Sequence, residues 1–126
     1  MKKLLLISLT GLLLSVPCNA AESAFMSGFE DLPLMEGLKQ AEDSVVSFDT
    51  PSGRIIEAYA QSNQIGKQKI AEFYDKTLPQ LGWKRVSEKN KTASVSYTRE
   101  GEVLTISVDD GTPASVRFEL KTREKD

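Results

Sequence analysis

Chemistry in this chain has to rest on carboxylates, because the sequence has no histidine and only one cysteine, Cys18, in its apolar N-terminal stretch. Imidazole general bases, thiol nucleophiles and zinc centres built from His or Cys are thereby excluded. Glu57, Glu100, Glu102, Asp109 and Asp110 are the acids to weigh. A glycosidase-type pair would hold two of them about 5–10 Å apart across a cleft, and nothing in their spacing selects a pair. Most fall in expected turns or on an expected solvent face, where a hydrated charge is the ordinary state. Asp109-Asp110-Gly111 opens like a calcium loop, but such a site needs at least about six oxygen ligands and the flanks supply no spaced run of acids. It reads as a hairpin turn.

Other catalytic patterns are missing. There is no Ser-x-x-Lys, no Gly-x-Ser-x-Gly and no glycine-rich phosphate loop. Asn90-Lys91-Thr92 fits the N-glycosylation acceptor, at a place where asparagine would begin a turn for backbone reasons. No catalytic residue, metal ligand or cofactor-binding residue is therefore assigned, and no cofactor is expected.

The elements that would position any site begin after residue 20. Residues 1–20, MKKLLLISLTGLLLSVPCNA, set Lys2 and Lys3 before an apolar run from Leu4 to Val16 and end in small residues. That is the pattern of a secretory signal, with cleavage expected between Ala20 and Ala21. The run is shorter than the about 20 apolar residues that cross a bilayer. The processed protein is accordingly expected not to be an integral membrane protein, and to be periplasmic or secreted. Loss of two lysines makes the formal charge of −2 more negative, which leaves no electrostatic footprint for nucleic acid. The remaining roughly 100 residues are of ordinary single-domain size. With no cysteine among them, packing alone must hold them together.

Residues 21–43 are expected to form an N-terminal arm. Phe29, Leu32 and Leu34 make it too apolar for a free linker, and Gly28, Pro33 and Gly37 interrupt any long helix. One short helical turn is expected near residues 35–41. The arm would either lie across the domain or dock a partner.

The single domain is expected over 44–121, followed by a charged tail at 122–126. Ser44–Asp49 is a β-branched and aromatic run, Thr50-Pro51-Ser52-Gly53 a turn, and Arg54–Gln61 a returning strand. In that strand Ile56, Ala58 and Ala60 form a small apolar row that would let a helix approach closely. Ile55 and Tyr59 then lie on the open face, with Arg54 nearby. Next comes the stretch FYDKTLPQLGW, within which Ile70, Phe73, Tyr74, Thr77, Leu78 and Leu81 continue one stripe at helical spacing. Ser62 or Asn63 is the expected N-cap. Pro79 should strain or end the last turn, Gly82 close it in the left-handed conformation, and Trp83 pin helix to sheet.

Beyond Trp83 the pattern alternates. A strand over Trp83–Glu88 and a turn at Asn90-Lys91 lead to the rows Ala93/Val95/Tyr97, Leu104/Ile106/Val108 and Val116/Phe118/Leu120. Period-two patterning of this kind predicts an antiparallel meander with one covered face. The fold class is α+β in two layers. One amphipathic helix packs on a five- or six-stranded antiparallel sheet, in the order strand-strand-helix-strand-strand-strand-strand.

Phe73, Tyr74, Leu78, Pro79, Gly82 and Trp83, with the stretches DLPLMEGL, FDTPSGRIIEAYA and YTREGEVLTISV, resemble a domain-of-unknown-function group of small exported Gram-negative bacterial proteins. In these a helix ending F-Y-x-x-x-L-P-x-x-G-W separates a hairpin from a run of strands. The likeness covers residues 29–120. It implies the fold and the compartment and carries no catalytic residues.

Three functions fit these observations. The first is a non-enzymatic cell-envelope module that docks a protein partner on the open face around Arg54, Ile55 and Tyr59, unless the arm's Phe29, Leu32 and Leu34 cover that face. The second is a carrier of a small hydrophobic ligand in a helix–sheet cavity lined by Phe73, Leu78, Val95, Ile106 and Phe118. The third is a carboxylate-dependent hydrolase.

Overall fold

A computed structural model describes residues 25–86 and 94–122. The expected signal segment and cleavage position at Ala20 and Ala21, the expected Asn90-Lys91 turn and most of the expected charged tail lie outside the described residues. The fold is α+β, with one helix laid on an antiparallel sheet. The strands are β1 (Lys39–Thr50), β2 (Gly53–Ser62), β3 (Lys84–Arg85), β4 (Ser94–Arg99), β5 (Glu102–Asp109) and β6 (Ala114–Thr122), and the helix α1 spans Lys67–Thr77 between β2 and β3. They join in the order β1-β2-β6-β5-β4-β3. The last strand thus lies between the first hairpin and the meander, pairing Ala58 with Phe118 on one side and Ile106 with Phe118 on the other.

That order gives the helix its task. It must carry the chain from β2 to the far edge, past β6, β5 and β4. Four strand spacings come to about 19 Å, and eleven α-helical residues extend about 16 Å. A short 3-10 turn at Leu78–Leu81 supplies the rest.

Two local expectations are corrected. Residues 35–41 form no helical turn: Leu38 N–H donates to the Met35 carbonyl, and Lys39–Ala41 then pair with Tyr59–Gln61 as strand. Partners supplied by β2 outweigh the weak local preference for helix. The helix also starts later than Ser62 or Asn63, with Gly66 as its N-cap residue. Ser62 is the last residue of β2 and is buried, and its hydroxyl accepts from the N–H groups of Gln64 and Ile65. It caps the strand-to-helix turn instead.

The helix end combines two devices. Pro79 sits in the 3-10 turn, where its missing N–H leaves no helical bond broken. Gly82 at φ +91° closes it, its N–H donating to the Pro79 carbonyl while that of Trp83 donates to Leu78. Because a 3-10 turn advances three residues rather than 3.6, the stripe does not continue through it. Leu81, expected to be buried, is exposed.

One face of the sheet carries the core. Ile56, Ala58 and Ala60 are buried on it with Leu104, Ile106, Val116 and Phe118, and α1 contributes Ile70 and Tyr74 from above. The arm completes the same layer: Met26, Leu32 and Leu38 are buried among these residues. It is tied down at Tyr74, whose hydroxyl donates to the Pro33 carbonyl at 2.9 Å and accepts from the Met35 N–H at 3.3 Å. Tyr74→Phe strands both backbone groups and is expected to lower stability by about 1–3 kcal/mol in urea denaturation.

Candidate functional site

Among the concavities of the described residues, two are lined by side chains of the helix-side layer. One, about 460 Å³, is a groove between α1 and the β4–β5 hairpin. Its apolar walls are Ala71 and Tyr74 from the helix and Val95, Tyr97, Ile106 and Val108 from the sheet. Helical spacing puts Ala71 and Tyr74 on one face of α1, and strand alternation aims Val95 and Tyr97, Ile106 and Val108 at it. The alanine at 71 leaves the gap that a larger side chain would fill.

Charges rim this groove. Asp75 accepts from Arg85 at 3.1 Å and from the Tyr97 hydroxyl at 3.2 Å. Burial, with the Asp75 charge beside it, pushes Tyr97 up to about 12. Burial likewise pushes Tyr74 up. Both phenols stay protonated at neutral pH, Tyr97 donating to Asp75 and Tyr74 to the Pro33 carbonyl. Lys67, Glu72 and Asp110 complete the rim.

The second cavity, about 370 Å³, lies where the arm crosses the sheet. Arg99 organises it, holding Asp31 of the arm by two bonds of 2.6 and 2.9 Å and the Leu81 carbonyl at 3.0 Å, with its guanidinium 4.3 Å above the centre of the Trp83 ring. Those bonds hold the Asp31 carboxyl below its ordinary range. Loss of solvation raises Glu102 on the same wall.

The predicted site residues divide between these places and the open face. Ile55 and Tyr59 do lie on the open face, Tyr59 exposed and Ile55 half-buried, beside exposed Val46 and Phe48 of β1. Arg54 does not join them. Strand alternation sends it to the helix side, where it lines the arm cavity. Nor do the arm's Phe29, Leu32 and Leu34 cover the open face: Leu32 is buried in the core layer, and Phe29 and Leu34 pack against it. Of the five residues expected to line a helix–sheet cavity, Val95 and Ile106 do so. Phe73 packs edge-on against Tyr74, and Leu78 and Phe118 are sealed in the core. The motif residues Phe73, Tyr74, Leu78, Pro79, Gly82 and Trp83 form the helix, its stop and its anchor.

The carboxylates scatter. Glu57 pairs with Arg117 on the open face, where Arg117 also meets Glu119 and Glu119 meets Lys121. Glu102 lies in the arm cavity, Asp110 on the groove rim, and Glu100 in the β4–β5 turn. Asp109 ends β5, exposed. Among the described residues no three acids come close enough to hold a metal ion, and no helix is long and apolar enough to cross a membrane. The Asp31–Arg99 clamp escaped the sequence because its members stand 68 positions apart and neither belongs to a periodic pattern.

A family model described as START domain-like matches residues 66–117. That span contains every residue lining the groove, whereas the arm cavity draws on residues 28–32, 54, 56, 120 and 122 outside it. No curated protein and no solved structure matches the chain.

Proposed function

We propose that this protein is an exported, non-enzymatic binding protein whose helix–sheet groove takes a small hydrophobic ligand. The observation that carries this reading is the groove itself, about 460 Å³ with apolar walls and a charged rim, in the size range of small-molecule sites. The START-like match over the groove-forming span is in keeping with ligand binding. Export rests on the leader pattern and on the resemblance to small exported Gram-negative proteins. Catalysis has less support, because both oxygens of Asp31, the acid beside Glu102, are engaged by Arg99.

The test is binding of the fluorescent probe 1-anilinonaphthalene-8-sulfonate, with melting temperatures across a panel of fatty acids. Ala71→Trp fills the groove from an exposed helix position. It is expected to weaken probe binding about tenfold or more, a change of about 1.4 kcal/mol, without lowering the melting temperature. Unchanged affinity in the variant, or no shift of the natural protein across the panel, would sink the groove as the site.

A second reading is favoured by exposed Val46, Phe48 and Tyr59. It makes the open face beside β1 a protein-docking surface of the cell envelope.

A further inference from the structure

Where the arm crosses the sheet, strand alternation lays two rows side by side on the helix face. Ile56, Leu120 and Leu104 stand opposite one another across β2, β6 and β5 and form an apolar row. Two residues further along each strand, Arg54, Thr122 and Glu102 continue the same face as a polar row, with Thr122 paired to Glu102. All six line the arm cavity of about 370 Å³.

The charges in this cavity differ in what they already hold. Arg99 is fully engaged by Asp31 and the Leu81 carbonyl, and both oxygens of Asp31 are engaged in return. Arg54 donates from Nε to the Ser47 hydroxyl at 3.3 Å. Among the described residues nothing accepts from the two terminal nitrogens of its fork, and nothing donates to the Glu102 carboxylate. Arg54 and Glu102 do not serve each other. Two strand spacings, about 10 Å, separate their backbones, and the charges that act on Glu102 are those of Arg99, Glu30, Asp31 and Glu100.

We propose that the arm cavity binds a small zwitterion, an α-amino acid with an apolar side chain. Its carboxylate lies on the Arg54 fork, its ammonium on Glu102 and its side chain against Ile56, Leu104 and Leu120. A guanidinium fork matches a carboxylate with two parallel hydrogen bonds, and an ammonium brings three donors to an acid that has none. The positive charge also offsets the lost solvation that now raises Glu102. A simple anion would leave Glu102 uncompensated beside Glu30 and Asp31, and a simple cation would leave the Arg54 fork unused. The volume lies near the low end for small-molecule sites, about 300–1,000 Å³, which suits an amino acid better than a long acyl chain.

The experiment is isothermal titration of the full chain with leucine, methionine and phenylalanine, and with two half-analogues of leucine. These are 4-methylpentanoate, which keeps only the carboxylate, and 3-methylbutylamine, which keeps only the ammonium. At least one amino acid is expected to bind, and leucine to bind more tightly than either half-analogue by about tenfold or more, the usual loss with one charged hydrogen-bonded partner. Glu102→Gln should reduce leucine to the level of 4-methylpentanoate, and Arg54→Gln to the level of the amine. Neither variant should lower the melting temperature of the unliganded protein, because each removes a charge without a described partner at its terminal atoms. Ala71→Trp, which fills the other groove, should leave amino-acid binding unchanged while weakening the fluorescent probe. No heat with any of the three amino acids, a half-analogue that binds as well as leucine, or variants that bind like the natural protein would each overturn the proposal. Loss of amino-acid binding in Ala71→Trp would overturn it as well, by placing the zwitterion in the groove.

Discussion

Trp83→Ala is expected to remove about 3–5 kcal/mol of stability, the usual loss when a large buried aromatic is truncated. Trp83 is 5% exposed and joins three parts of the molecule. Its N–H closes the helix stop by donating to Leu78, its backbone leads directly into β3, and its ring lies beneath Arg99, which in turn holds the arm through Asp31. The variant loses the apolar area of the ring and the surface on which the guanidinium rests, a contact worth about 0.5–1 kcal/mol when partly exposed. Against a typical total of about 5–15 kcal/mol, that is a large share. Because Trp83 is the only tryptophan, unfolding of the variant has to be followed by far-UV circular dichroism in urea. A loss below about 1 kcal/mol would mean that the anchor contributes no more than a surface side chain does.

Phe118→Ala is expected to cost a similar amount, about 3–5 kcal/mol, for a different reason. Phe118 sits in the strand that joins the hairpin to the meander, is 0% exposed, and meets Tyr74 edge-on at 5.2 Å. Its neighbours across the ladder are Ala58 and Ile106. Alanine at 58 is what admits the phenyl ring, and for the same reason it has no side chain to swing into the vacancy. The cavity therefore stays open, and the full penalty for lost contacts applies. In a domain of this size each kcal/mol corresponds to about 4–8 °C of melting temperature, so a calorimetric scan reads the effect directly. A loss near 1 kcal/mol would mean that α1 settles onto the sheet after truncation.

The amphipathic helix, its stop and the period-two strands are legible because each is written in neighbouring residues. The left-handed close at Gly82 and the missing N–H of Pro79 act within one turn, and alternation within a strand assigns Ala58 and Ala60 to the covered face. Legibility fails where a partner far along the chain decides. Lys39–Ala41 become strand because Tyr59–Gln61 offer them a ladder, and Ser62 is spent on its own turn. Leu81 leaves the stripe because the helix tightens around Pro79.

By itself, then, the sequence determined the class of fold, the covered row of β2 and of the later strands, and the absence of imidazole and of any thiol beyond Cys18. All of these follow from residue chemistry and short-range periodicity. Only the tertiary structure decided that β6 enters between β2 and β5, that the arm packs into the core layer and is held by Arg99, and that Arg54 parts company with Ile55 and Tyr59. It also decided that the groove opens at Ala71 while Phe118 is sealed. Strand order and cavities arise from closing long loops, and many closures bury the same apolar faces. Which of them prevails depends on how the helix's length spans the sheet and on which large side chain finds a small one opposite.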